Sequence, residues 1–307
     1  MADLKVDFGK FQLKNPVMTA SGTFGHGLEY AQFYDISRLG AIVVKGIRSV
    51  PSDGNPTPRV TEVTGGMINA IGLQGPGLDK FLHDDHYLPG LKKTNAAVIV
   101  NIWGKTAEEY AEVAAGLEAE AANDITALEI NISCPNVKAG GAAFGTDPKL
   151  AEQVISAVRN ATKLPLITKL SPNGTSIAEF ARIAEACGSD SVSLINTLSA
   201  MAIDIETRRP KIANVTGGLS GPAVKPVAIK MVHEVYKAVK IPILGMGGIT
   251  CGADAVEFLI AGATAVAVGT ANFVNPYAPI EVIDFINEYL DRHNMKSVSE
   301  LTGSLVL

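Results

Sequence analysis

The chain has 307 residues, 47% of them apolar, and a formal net charge of −5. That is length and apolar content enough for one large domain, and the acidic balance argues against a nucleic-acid partner, which would favour a basic face. No run approaches the roughly 20 apolar residues of a membrane span, the first ten residues lack the apolar segment of a signal peptide, and three cysteines without CxxC spacing imply a reducing, cytoplasmic setting with no disulfide frame.

Taken in chain order, the first signal is a hairpin: residues 4–8 and 11–13 flank Gly9-Lys10 and are placed to close one end of the fold. Eight short apolar runs then follow, over 17–20, 41–45, 98–102, 127–131, 166–170, 192–196, 241–245 and 265–269. Continuous runs of this kind suit parallel strands buried on both faces. Helix-length amphipathic segments lie between most of them. Thr106-Ala-Glu-Glu109 predicts a capping box opening a helix to about Ala122, Ser176-Ile-Ala-Glu179 predicts a second, and Asp147-Pro148 sets a cap before a first-turn proline. Two connections are longer, 46–97 and 197–240; the first, rich in Gly and Pro, is expected to be extended surface structure. Eight βα units predict an α/β fold: a single-domain (β/α)8 TIM barrel over 1–307, with an N-terminal β-hairpin and active-site loop insertions, rather than an open doubly wound sheet.

In such barrels the site lies at the C-terminal ends of the strands. The runs lead into Ser21-Gly22, Lys45-Gly46, Asn101, Asn131-Ile-Ser-Cys134, Lys169, Asn196-Thr197, Gly247-Gly248 and Gly269-Thr270. Every strand therefore delivers an amide, an ammonium, a hydroxyl or a glycine backbone to one mouth. The last two ends suit a phosphate cradle, because glycine lets backbone N–H groups approach an anion. Lys45 and Lys169 end apolar runs and are expected to point inward, although a lysine there can also snorkel to solvent or form a Schiff base. Cys134 stands in a polar loop at this end and can act as base if nearby cations favour its thiolate; Cys187 and Cys251 read as packing residues. His83-Asp-Asp-His86 reads as a solvated charged stretch rather than a metal site.

The segments Asn15-Pro-Val-Met-Thr-Ala-Ser-Gly22, Val44-Lys-Gly46, Asn69-Ala-Ile-Gly-Leu-Gln74, Asn131-Ile-Ser-Cys-Pro-Asn136, Asn196-Thr197, Gly218-Leu-Ser-Gly221, Gly245-Met-Gly-Gly-Ile249 and Val268-Gly-Thr270 carry a resemblance, nearly end to end, to the class 1 dihydroorotate dehydrogenases of pyrimidine (UMP) biosynthesis. The stretch 137–147 resembles their NAD-linked subfamily, class 1B. The resemblance implies FMN across the barrel mouth, contacted by Ser21, Lys45, Gly46, Asn101, Asn131, Lys169, Ile195, Gly221, Gly247, Gly248, Gly269 and Thr270. It implies a dihydroorotate or orotate site made by Lys45, Asn69, Ala70, Ile71, Gly72, Leu73, Asn131, Asn196 and Thr197. It makes Cys134 the base at C5 of the substrate while hydride leaves C6 for FMN N5. It further implies a homodimer core within a heterotetramer, with an electron-transfer subunit bearing FAD and a 2Fe-2S cluster and NAD as final acceptor. A fumarate-linked, class 1A-like homodimer, a Schiff-base aldolase or isomerase barrel, and a non-enzymatic barrel binding a phosphorylated ligand are the competing expectations.

Overall fold

The computed structural model describes residues 2–133, 144–174 and 176–307. Its strands and helices run β1 (Val6–Phe8), β2 (Phe11–Leu13), β3 (Val17–Thr19), β4 (Ala41–Val43), β5 (Val60–Val63), β6 (Gly66–Asn69), α1 (Leu78–His83), α2 (Leu88–Lys92), β7 (Val98–Ile102), α3 (Ala107–Ala121), β8 (Ala127–Asn131), α4 (Pro148–Ala161), β9 (Leu166–Lys169), α5 (Ile177–Ala186) and β10 (Ser191–Leu194). They continue with β11 (Leu198–Met201), β12 (Ile203–Asp204), β13 (Arg209–Pro210), β14 (Thr216–Ser220), α6 (Lys225–Tyr236), β15 (Ile243–Met246), α7 (Gly252–Ala261), β16 (Ala265–Val268), α8 (Ala271–Val274) and α9 (Ala278–Arg292).

Eight of the strands close a parallel barrel in the order β10-β15-β16-β3-β4-β7-β8-β9. Every residue of these eight is buried, because the inward face fills the barrel and the outward face meets the helical ring. All eight predicted runs are barrel strands. The hairpin β1–β2 sits at the N-terminal end of the strands: a Cβ on Gly9 would lie 2.6 Å from the Asp190 carbonyl, just before β10, and Lys10 Nζ is 3.0 Å from the Asp190 carboxylate. It closes the bottom of the barrel, as expected.

The predicted cap residues accept as expected, but neither predicted capping box is completed among the described hydrogen bonds. Thr106 Oγ1 accepts from Glu109 N at 3.3 Å and Ser176 Oγ from Glu179 N at 3.3 Å, while Asp147 Oδ1 takes the N–H groups of Lys149 and Leu150. The Glu109 carboxylate does not reach back to Thr106 as a full capping box would; it accepts from Lys105 N at 2.7 Å and pairs bidentately with Arg48. A charge-assisted fork outcompetes a single neutral donor.

The two long connections are not independent. The first contributes β5 and β6 and the short helices α1 and α2; the second contributes β11 to β14. Together they build a four-stranded sheet, β11-β14-β6-β5, in which β14 pairs with β6 across the two insertions. In the barrel ring β4 and β10, which the insertions follow, stand on opposite sides, so this sheet spans the mouth. Among the described residues no helix is long and apolar enough to cross a membrane.

Candidate active site

Between the C-terminal ends of the barrel strands and the spanning sheet lies a cavity of about 430 Å³. Of the residues expected in the site, Ser21, Lys45, Gly46, Asn69, Ile71, Gly72, Leu73, Asn101, Asn131, Lys169, Ile195, Asn196, Thr197, Gly221, Gly247, Gly248, Gly269 and Thr270 all line it. Ala70 does not: strand alternation turns Asn69 to the cavity and buries the Ala70 methyl against Ile68 and Ile212. Cys134 lies outside the described residues. Further lining comes from Val60, Met67, Leu219 and Ser220 of the spanning sheet and from Val224, Met246 and Phe273, most of them apolar. Sequence reading missed these, because only the pairing of the two insertions brings the sheet residues over the mouth.

The cavity has a charged floor. Lys169, at the end of β9, is buried, with Nζ 3.4 Å from Ser21 Oγ and 3.7 Å from Glu129 Oε2. It does not snorkel to solvent. Glu129, in the middle of β8, is fully buried; Asn101 Nδ2 donates to its Oε2 at 2.6 Å and Ser193 Oγ to its Oε1 at 2.8 Å. Glu129 was also missed, although a lone acid inside the apolar run Ala127–Asn131 is the signal that could have found it. Lys45 follows β4; its backbone N–H donates to Gly25 O at 2.9 Å, and a Cβ on Gly22 would stand 3.4 Å from its Nζ. Behind it His26 is held neutral: burial lowers its pKa to about 4 against the opposing charge of Glu29, and the Lys45 charge adds a smaller effect in the same direction as burial.

Above the floor lies a row of amides. Asn131 Nδ2 points to Asn101 Oδ1, Asn196 Nδ2 donates to Ser133 Oγ at 2.7 Å, and Thr197 N donates to Asn196 Oδ1 at 2.9 Å. Across the mouth Asn69 Nδ2 faces Gly218 O.

The end of the cavity at β15 and β16 is built for close approach. Gly248 has φ +87°, and a Cβ there would collide with Lys225, at 2.7 Å from its Cβ and 2.8 Å from its N. Lys225 is tied in turn to Asp254 at 2.7 Å and Glu257 at 2.9 Å. Thr270 Oγ1 donates to Ser220 Oγ at 2.7 Å, bringing β14 beside the end of β16. Among the described residues the N–H groups of Gly248, Gly269 and Thr270 have no acceptor. A side chain on Gly269 would enter the cavity, meeting only Ala20 and Thr23 at 3.6 and 4.0 Å. Unpartnered N–H groups beside a glycine-cleared space suit a phosphate group. The surface pair His83 and His86 is engaged with Asp79 O and Asp84, each at 2.8 Å, away from this site.

A closed barrel of eight βα units, with lysines, amides and a glycine edge of unpartnered N–H groups gathered at the strand C-termini, has the form of a barrel enzyme, and its edge suits an anionic or phosphorylated ligand. Comparison with known proteins goes further. The dihydroorotate dehydrogenase family matches residues 3–290, and the chain belongs to that family. It is 54% identical over 303 residues, covering 99% of both chains, to the catalytic subunit of dihydroorotate dehydrogenase B (NAD(+)) of Alkaliphilus metalliredigens. The subunit of the same name from Bacteroides fragilis is 55% identical over 308 residues, with 99% of each chain covered, and that of Desulforamulus reducens 55% over 302, with 98% of each.

Proposed function

We propose that this chain is the catalytic subunit of an NAD-linked dihydroorotate dehydrogenase, which binds FMN at the barrel mouth and oxidises dihydroorotate to orotate. The observation that carries the reading is the convergence of the expected strand-end residues on one cavity, with the glycine edge at one end and the amides and lysines over the rest. FMN, when bound, supplies the two-electron acceptor. Gly248, Gly269 and Thr270 would hold its phosphate through backbone N–H groups, and Lys169, Asn101 and Ser21 would face its ring.

The chain's own residues then act on dihydroorotate. The amides of Asn69, Asn131 and Asn196 offer both donors and acceptors to the pyrimidine edge, and Lys45 complements its carboxylate. Cys134 takes the proton from C5. The spanning sheet, with Met67 and Leu219 against the cavity, keeps water from the reacting face. Full-length relatives named as NAD(+)-linked catalytic subunits support this reading over a fumarate-linked one. Their name also supports a partner that relays electrons to NAD; we assign that partner FAD and a 2Fe-2S cluster, and place two copies of this chain at the core of a heterotetramer. A Schiff-base reading is disfavoured because Lys169 is engaged with Glu129 and Ser21 at the floor.

The test is an anaerobic half-reaction on the purified chain. A yellow protein whose flavin band bleaches on adding dihydroorotate is expected, with NAD reduced only when the partner subunit is present. A protein that fails to take up FMN, or whose flavin stays oxidised, refutes the reading.

A further inference from the structure

The polar chain above the cavity floor has a direction, and a buried group at its foot, Glu129, agrees in that direction with the backbone groups beside it: Ser133 N donates to Asn131 Oδ1, Thr197 N donates to Asn196 Oδ1, and Asn196 Nδ2 donates to Ser133 O at 3.3 Å. Glu129 as a carboxylate only accepts hydrogen bonds. Asn101 must therefore turn its NH2 to Glu129 Oε2, at 2.6 Å, which leaves Asn101 Oδ1 towards Asn131 Nδ2, at 3.5 Å. Asn131 Oδ1 is then the end that accepts, from Ser133 Oγ at 3.0 Å and Ser133 N at 3.3 Å. With its proton so engaged, Ser133 Oγ accepts from Asn196 Nδ2 at 2.7 Å, and Asn196 Oδ1 is left to Thr197 N at 2.9 Å. Every donor in the series Asn196, Ser133, Asn131, Asn101 points down towards the same buried charge. Turning any one amide over would set oxygen against oxygen or NH2 against NH2, and at Asn101 would press a carbonyl lone pair against the carboxylate. The Asn131–Asn101 link is the longest, so it acts by orienting the amides more than by its own strength.

We propose that Glu129 is a positioning residue: it orients the Asn101 amide and, through it, reinforces the sense in which the Asn131 and Asn196 amides are offered to the substrate, and it offsets the charge of Lys169 beside the flavin. This rests on the functional reading above. Glu129 touches neither substrate nor cofactor in this account and acts through Asn101, Ser193 and Lys169. A one-way chain of hydrogen bonds polarises each member in the same sense, so the effect of its anchor reaches the far end.

The test uses the full chain loaded with FMN. Two quantities are read: the orotate Kd of the oxidised protein, from perturbation of the visible flavin band, and the flavin midpoint potential. Glu129→Gln is isosteric but can face Asn101 with either end. It should raise the orotate Kd roughly tenfold and shift the potential positive, because a buried negative charge that opposes flavin reduction is gone. Glu129→Asp keeps the charge and should hold the potential near the parent value. Ser133→Ala cuts the chain above the floor and leaves the charge in place, so it should raise the orotate Kd by a similar factor with the potential unmoved.

A Glu129→Gln protein with the parent Kd and the parent potential overturns the proposal, as does a Glu129→Asp protein whose potential rises as far as that of Glu129→Gln. Should Glu129→Gln fail to hold FMN, Glu129→Asp decides: its shorter side chain keeps the charge but draws it back from Asn101, so a parent orotate Kd overturns the positioning role and a raised Kd at the parent potential upholds it. A parent protein that neither binds orotate nor is reduced by dihydroorotate refutes the functional reading instead, and is told apart from these outcomes by being seen before any variant is made.

Discussion

Two glycine-to-alanine changes at the same end of the cavity should have opposite consequences. Gly248 sits at φ +87°, and an added Cβ would lie 2.7 to 2.9 Å from three atoms of Lys225, two of them backbone. The left-handed conformation costs an alanine about 1–2 kcal/mol, and forcing a methyl into a filled space typically adds about 1–3 kcal/mol. Gly248→Ala should therefore lower the stability of the FMN-free protein by roughly 2–5 kcal/mol, since the first turn of α6 cannot retreat without moving the Lys225–Asp254 pair. Gly269 is not in the left-handed region, and its Cβ would meet only ordinary contacts at 3.6 and 4.0 Å. Gly269→Ala should leave apo stability within about 0.5 kcal/mol while its methyl occupies space intended for ligand, raising the FMN Kd roughly tenfold or more. Urea unfolding of the apo forms and fluorescence titration with FMN measure the two effects separately. A Gly248→Ala protein as stable as its parent, or a Gly269→Ala protein that binds FMN equally well, would refute the assignment of one glycine to packing and the other to the ligand.

Three further outcomes follow from named groups. Cys134→Ala should slow reduction of bound flavin by dihydroorotate about 10²–10⁴-fold in stopped flow while FMN remains bound, and a reduction rate close to the parent's removes Cys134 from the role of base. Burial alone would raise the Asp254 carboxyl, but hydrogen bonds from Lys225 and Thr250 together outweigh it and hold the pKa down to about 2 from an ordinary 3.8. The folded state thus keeps Asp254 ionised where the unfolded chain has taken up a proton, so about 2 kcal/mol of stability is present above pH 4 and lost as pH falls towards 2. Denaturation of Asp254→Asn should lack that loss, and parallel pH courses for parent and variant would contradict it. For His26 the unfolded ring gains its proton first, near pH 6.5, while the folded ring stays neutral to about pH 4. Stability linked to it therefore falls as pH drops through that window. Its ring resonances should be unchanged between pH 7.5 and 5.5, and an NMR midpoint near 6.5 would show the burial argument to be wrong.

The barrel was legible because burial on both faces leaves a strand little choice but a short, continuous apolar run. The predicted sixth run began at Val192 where the strand begins at Ser191, and the seventh began at Ile241 where the strand begins at Ile243. The first offset is a polar residue, Ser191, that is buried although its Oγ has no hydrogen-bond partner among the described residues; at the second, Pro242 interrupts the ladder. Less could be read where the deciding partner is distant in sequence. The side of the strand that Ala70 takes depends on β14 pairing with β6, which joins residues about 150 positions apart. Glu109 was expected to finish a capping box and is drawn away by Arg48. Glu129 is a lone acid in its own segment, and becomes intelligible only when β7, β9 and β10 bring it an amide, an ammonium and a hydroxyl. Cys251, expected to be a buried packing residue, is exposed; it stands at the start of α7, where Asp254 accepts its backbone N–H.

The sheet that joins the two insertions ties together staves from opposite sides of the barrel ring. It works as a girder bolted to both banks of the mouth. A loop hinged on one stave can swing aside and leave the rest of the barrel untouched; a girder can be lifted only by breaking the β14–β6 ladder or by straining both insertions at once. Escape of anything seated beneath it is then coupled to loosening of the whole upper rim, so retention of a bound group and resistance of that rim to unfolding rise and fall together.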